Sequence, residues 1–235
     1  TETQVSSITL RAPGKASIRL ECLELSNDNC RAGRLSRWEL KEPVKVRADD
    51  SAVQSLLSSL NNLVTSSVID LASEPPEQRP ALLRQYGLES SQLSGSYLIE
   101  VTFYPSQTKR SIYIGNTNPL GDSRYALYGS DVALISGGIT TQLDYPASRW
   151  REKRFIPIDA ARVREIVQTP NDKGASPLRA EKTGSNWNLR PSNVPGDSEN
   201  MNSWLSSLVF LTAEDFLAEK KDSTEGKKWL SGSKS

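Results

Sequence analysis

Histidine is absent from this 235-residue chain, and cysteine and methionine are scarce, with two copies and one. Without histidine there is no Ser-His-Asp triad, no Cys-His dyad, no His metal site and no unperturbed proton switch near pH 7. Cys22 and Cys30 stand too far apart for a C-x-x-C redox or zinc knuckle, and no second pair exists to complete a metal tetrahedron. They leave a loop-closing disulfide or two thiols. A disulfide across the polar Ser26-Asn27-Asp28-Asn29 tip fits an oxidising compartment and contributes about 2 kcal/mol for so short a loop. An excess of one charge is also lacking: 29 Lys plus Arg against 28 Asp plus Glu leave +1, giving no overall pull toward nucleic acid or lipid headgroups. The longest apolar run, Val132 to Ile139, is broken by Ser136-Gly137-Gly138 and falls far short of the roughly 20 residues that cross a bilayer. No signal peptide is legible, and the opening Thr1-Glu2-Thr3 without Met suggests a processed or trimmed product. There is no G-x-S-x-G elbow, Walker loop, G-x-G-x-x-G or EF-hand loop, so the commonest motif-based enzyme classes drop out.

What remains is a chain of 36% apolar residues with a mean hydropathy of −0.50, whose near-zero net charge argues against wholesale disorder. Its length allows one large domain or two small ones with a real core. Residues 4 to 24 hold two alternating runs around Ala12-Pro13-Gly14-Lys15-Ala16, which predicts a hairpin. A short strand at Arg37–Leu40 follows, then Pro43. Val53, Leu56, Leu57, Leu60 and Leu63 then fall on one face of a helix, with Asp49 or Asp50 placed to cap it. A second, short helical segment around Ala81–Tyr86 stops at Gly87. Tyr97, Ile99, Val101 and Phe103 alternate with their neighbours, as do Ile112 and Ile114, and the two runs predict an antiparallel hairpin. Short strands are predicted at Arg124–Gly129 and Asp131–Ser136, then at 160–168 and 177–183. From Glu214 onward the chain turns hydrophilic.

Another helix is predicted from near Asp197, and it carries an internal repeat. Met201, Trp204, Leu205, Leu208 and Leu211 follow Val53, Leu56, Leu57, Leu60 and Leu63 at a constant offset of 148, as Asp197 follows Asp49 and Pro191 follows Pro43. Trp187 and Leu189 follow Trp38 and Leu40 at 149. Each unit reads as a strand bearing a large aromatic, a proline that ends it, and a capped helix folded over the strand's apolar face. Neither unit is expected to bury that face alone, so the two should share one sheet or a continuous one, with strands from residues 88–136 between them. The predicted fold class is α+β, mostly antiparallel strands with two equivalent amphipathic helices. Its parts are a first unit with the N-terminal hairpin (1–87), a central hairpin region (88–158), a second unit (159–217) and a polar tail (218–235).

The order W-x-L-x-x-P, D-x-x-x-V-x-x-L-L, Y-G-L, I-G-x-x-x-P-x-G-x-x-x-Y-A and R-x-K-R, carried by Trp38–Pro43, Asp49–Leu57, Tyr86–Leu88, Ile114–Ala126 and Arg151–Arg154, resembles the domain of unknown function 4340 family over most of residues 4 to 217. The Cys22/Cys30 loop and the first hairpin depart from that pattern. The resemblance implies an extracytoplasmic bacterial domain, usually tethered by one N-terminal membrane helix. Such domains are often encoded beside ABC-type exporter components of the gliding-motility kind, with no established enzymatic activity. The implied location is periplasmic or otherwise extracytoplasmic.

Two stretches are candidate binding sites. Asn116, Arg124 and Tyr125 belong to a Gly-, Asn- and Pro-rich connection between strands, whose backbone N–H groups and arginine suit an anion or a peptide carboxylate. The plainer reading is a tight turn with Tyr125 packed inward. Arg149, Arg151, Lys153 and Arg154 surround Trp150, a basic-aromatic pattern that fits a phosphate-bearing headgroup or an acidic glycan; its plainer reading is a solvated or ion-paired surface. Asp49 and Asp197 are explained as caps rather than as catalytic carboxylates. The sequence therefore predicts no enzyme, no cofactor, no metal and no nucleic acid. It predicts a scaffolding or interaction module with a protein partner in a membrane transport or envelope assembly. The alternative is a binding domain for an anionic glycan or lipid headgroup. A sheet edge or an exposed loop would make the protein contact.

Overall fold

A computed structural model describes residues 4–25, 37–171, 174, 176–216, 224, 227 and 228. The chain divides into two compact units, with the boundary between Glu152 and Lys153. Both are built from antiparallel strands and short helices, an α+β architecture. No helix among the described residues is long and apolar enough to cross a membrane.

The first unit contains, in chain order, β1 (Gln4–Arg11), β2 (Ile18–Cys22), β3 (Trp38–Glu42), β4 (Val46–Arg47), α1 (Asp50–Asn61), β5 (Thr65–Ile69), α2 (Arg79–Tyr86), β6 (Tyr97–Tyr104), β7 (Lys109–Thr117), β8 (Ser123–Tyr128), β9 (Asp131–Ser136) and α3 (Ile139–Leu143). Its nine strands form one sheet in the order β4-β3-β2-β1-β6-β7-β8-β9-β5. Registers such as Ile8 opposite Leu20 and Val101 place every second side chain on one face. That face meets α1. Asp49 accepts from the Ser51 and Ala52 N–H groups and starts the helix, and Val53, Leu56 and Leu57 are buried against Ile8, Leu20, Trp38, Leu40, Ile99 and Ile114 in one core. Gly87 ends α2 in the left-handed region, as predicted for a helix stop.

The second unit holds a 3-10 turn at Ala160–Arg162, β10 (Glu165–Gln168), β11 (Leu178–Thr183), β12 (Asn186–Arg190), β13 (Val194–Pro195) and α4 (Ser198–Val209). Its strands form a separate sheet in the order β10-β11-β12-β13. The expected shared or continuous sheet is therefore corrected: β6 to β9 extend the first sheet only. The physical reason is local closure. Ala180, Trp187 and Leu205 make a small core of their own, completed by Ala160, Val163, Ile166, Leu189 and Met201, so this unit covers its tryptophan without strands from elsewhere. The strand expected over 160–168 begins only at Glu165, because Asp159 caps a turn at Ala161 first.

β3 begins at Trp38 and β12 one residue before Trp187, and both end at a cis X-Pro bond, at Pro43 and Pro191. β4 and β13, and α1 and α4, occupy spans exactly parallel in number, each 148 residues apart. The Trp38 N–H donates to Asp50 Oδ1 at 3.0 Å and the Trp187 N–H to Ser198 Oγ at 2.9 Å, the first helical residue in each case.

A candidate ligand cleft beside Arg124

Arg124 stands near the start of β8, opposite Thr117 of β7, where the register of the pair is shifted by an irregularity between Ile114 and Thr117. Its Nη1 donates to the Gly115 carbonyl at 3.0 Å, and its guanidinium lies over the Tyr97 ring, 5.3 Å from the centroid. The Tyr97 hydroxyl in turn donates to Asp144 Oδ2 at 3.0 Å, and Lys15 Nζ donates to Asp144 Oδ1 at 2.8 Å. Lys15, then Tyr97, hold the Asp144 carboxyl below the usual carboxylate range against the opposing effect of burial. Burial first, then Asp144, push the Tyr97 hydroxyl upward. The ring beneath Arg124 is thus fixed by a carboxylate that is already ion-paired to Lys15.

A cleft of about 420 Å³ opens here. Ser91, Gln92, Ser94, Ser96, Asn116 and Arg124 supply its polar lining, with Tyr97 and the glycines 87, 95 and 115 completing it. Its floor depends on a close backbone approach. A Cβ on Gly115 would lie 2.2 Å from the Tyr86 carbonyl oxygen, and one on Gly87, at φ +72°, would lie 2.8 Å from Asn116 Oδ1. Asn116 Nδ2 donates to the Gln85 carbonyl at 2.8 Å and ties β7 to the end of α2. Arg11 Nη2 donates to the Leu93 carbonyl at 2.7 Å and holds the 3-10 turn Leu93–Gly95 that forms one wall.

Of the residues singled out in sequence, Asn116 and Arg124 meet in this cleft. Tyr125 does not line it and stacks on Tyr86, with ring centroids 4.1 Å apart. The connecting loop closes on itself, since the Asn118 N–H donates to the Ser123 carbonyl and Asn118 Oδ1 accepts from the Leu120 N–H. The basic stretch is arranged differently. Trp150 is buried, Arg149 is exposed over the Tyr145 ring, and Arg151 is half-buried in a bridge with Ala48. Arg154 belongs to the second unit, bridged to Thr212. Cys22 is disulfide-bonded; Cys30 lies outside the described residues. Among the described residues no cluster of Cys, Asp or Glu could hold a metal ion.

A family model described as Domain of unknown function (DUF4340) matches residues 38–228. The chain belongs to the DUF4340 family. Comparison with curated proteins and with solved structures gives no match. In this DUF4340 chain the matched span starts at Trp38, so it takes in Gly87, Asn116, Arg124 and Asp144 and leaves out β1 and β2, which contribute Arg11. Sequence reasoning missed Tyr97, Asp144, Lys15 and the serines of 91–96. The one available signal was that Tyr86-Gly87-Leu88 and Ile114-Gly115-Asn116 both place a glycine beside a buried aliphatic residue, where two backbones touch.

Proposed function

We propose that this DUF4340 protein is a non-catalytic, extracytoplasmic interaction module of a membrane transport or cell-envelope assembly, docking by strand addition at β5. The observation that carries this reading is the contrast between the two edges of the nine-stranded sheet. β4 is two residues long and is followed at once by Ala48, which bridges to Arg151, while the Arg47 carbonyl accepts from the Glu152 N–H. Among the described residues β5 pairs only with β9, carries no charged side chain over Thr65–Ile69, and leaves Val68 67% exposed beside Val64. Unguarded edges of this kind accept an extended partner segment. Inward of β5, on the face of β7, β8 and β9, lies a mainly apolar hollow of about 310 Å³ lined by Leu63, Val68, Ile112, Ala126 and Ile135. The disulfide at Cys22 favours an oxidising compartment.

In the same reading the Trp38 and Trp187 elements are two copies of one strand-Pro-helix module, and only the first copy was extended by further strands toward β5. Headgroup capture on Arg149, Arg151 and Arg154 draws less support, because Trp150 is buried and offers no stacking face. Photo-crosslinking in intact cells tests the docking edge. A crosslinker at Val64 should yield adducts with a component of a membrane transport assembly, and Val68→Lys should remove them. Equal adducts from Leu120, which is 94% exposed in an unrelated loop, or no adducts from either position, would sink the proposal.

A further inference from the structure

We propose that the cleft beside Arg124 binds an acidic sugar, a saccharide carrying one oxyanion, as its own ligand site, independent of the β5 edge. Charge comes first. Among the described residues Arg124 makes no ion pair; a carbonyl and a ring face hold it in place, and Asp144 acts on it only through space. Arg11, which does not line the cleft but braces its Leu93–Gly95 turn, also lacks an ion pair among the described residues, and its buried Nε has no hydrogen-bond partner there. Asp144, within electrostatic reach of Arg124, is ion-paired to Lys15, and Glu89 is ion-paired to Arg84, so Arg124, Lys15 and Asp144 together keep one positive charge in excess. The cleft therefore carries surplus positive charge, and a guanidinium held from two sides presents its remaining N–H groups as a fork suited to carboxylate or phosphate oxygens.

Shape and lining select the rest of the ligand. About 420 Å³ is far more space than an oxyanion alone requires, and it falls within the range of small-molecule sites. Outside Arg124 the lining is mixed, with hydroxyl and amide groups from Ser91, Gln92, Ser94, Ser96 and Asn116 facing the apolar surfaces of Pro13, Tyr97 and Ile114, as suits a sugar ring with polar edges and apolar faces. A ring bearing several hydroxyl groups matches such donors and acceptors. The glycine contact between residues 87 and 115 keeps the floor rigid.

Calorimetric titration of the full chain at low ionic strength, with glucuronate, glucose 1-phosphate, glucose, inorganic phosphate and a short N-acetylated peptide with a free carboxylate, tests this. Glucuronate or glucose 1-phosphate should bind at least about tenfold more tightly than glucose, and the tighter of the two separates a carboxylate source from a phosphate source. Binding should weaken as salt rises, and Arg124→Gln should reduce it by about tenfold or more while Arg149→Gln leaves it unchanged. Ser94 is exposed and makes no hydrogen bond through its side chain among the described residues, so Ser94→Phe should block the cleft in a folded protein and decides the matter if Arg124→Gln does not fold. No binding by either acidic sugar, equal binding by glucose or by phosphate alone, preference for the peptide, or full affinity in Ser94→Phe would each overturn the assignment.

Discussion

The element around Trp38 and the element around Trp187 share their local chemistry and differ in what covers them. Both place a tryptophan at 0% exposure on a strand that ends at a cis proline, and both start a 12-residue helix at a capping aspartate. In the first, Val53, Leu56 and Leu57 are all buried, because the helix lies on a sheet of nine strands. In the second, Leu205 is buried but Trp204, the counterpart of Leu56, is 49% exposed, and Leu211 is 51% exposed, because four short strands supply a narrower face. Similar local sequence gives the two elements a similar frame, while the width of the partnering sheet sets how much of each helix is buried.

The largest expected effect falls where the two elements agree. Trp38→Ala and Trp187→Ala should each cost about 3–5 kcal/mol in urea unfolding, since both indoles are fully buried. A near-silent result at either would break the equivalence. A contrast is expected next. Leu56→Ala should cost about 2–5 kcal/mol and Trp204→Ala less than about 1 kcal/mol, despite the larger side chain removed. Similar losses would show that the helices are covered alike. The smallest effect is at the caps, where Asp49→Ala and Asp197→Ala should each lower stability by about 1 kcal/mol in thermal melts. Asp49 should be the costlier, because it accepts two backbone N–H groups against one for Asp197. The reverse order would mean that the Asn200 Nδ2 hydrogen bond to Asp197 outweighs the second backbone bond.

The elements that were legible share a strong local signal. Period 3.6 in Val53–Leu63, Gly87 after a short helix, and alternation in Tyr97–Phe103 and Ile112–Ile114 each correspond to the element predicted there. β5 was not foreseen, because Thr65-Ser66-Ser67-Val68-Ile69 has no apolar alternation; it is a strand by virtue of pairing with β9, with Ser66 Oγ bonded to the Leu134 carbonyl. In the cleft, Asn116 and Arg124 stood out as part of a loop-forming cluster. Lys15, Tyr97 and Asp144 carry no pattern that links them, since they lie as far as 129 residues apart and meet only through β6 and the end of α3.

Composition and local spacing alone determined that this chain lacks the groups for histidine-based chemistry, that it is an antiparallel α+β protein, and where its two capped helices begin. Those properties depend on residue type and on neighbours within a few positions. Tertiary structure decided that the strands of the described residues divide into two sheets, that β5 stands at one end of the larger, and that Arg124 lies above Tyr97 without an ion pair among those residues. Each of these depends on contacts between residues distant in the chain, whose free energy is realised only when burial and pairing bring the segments together.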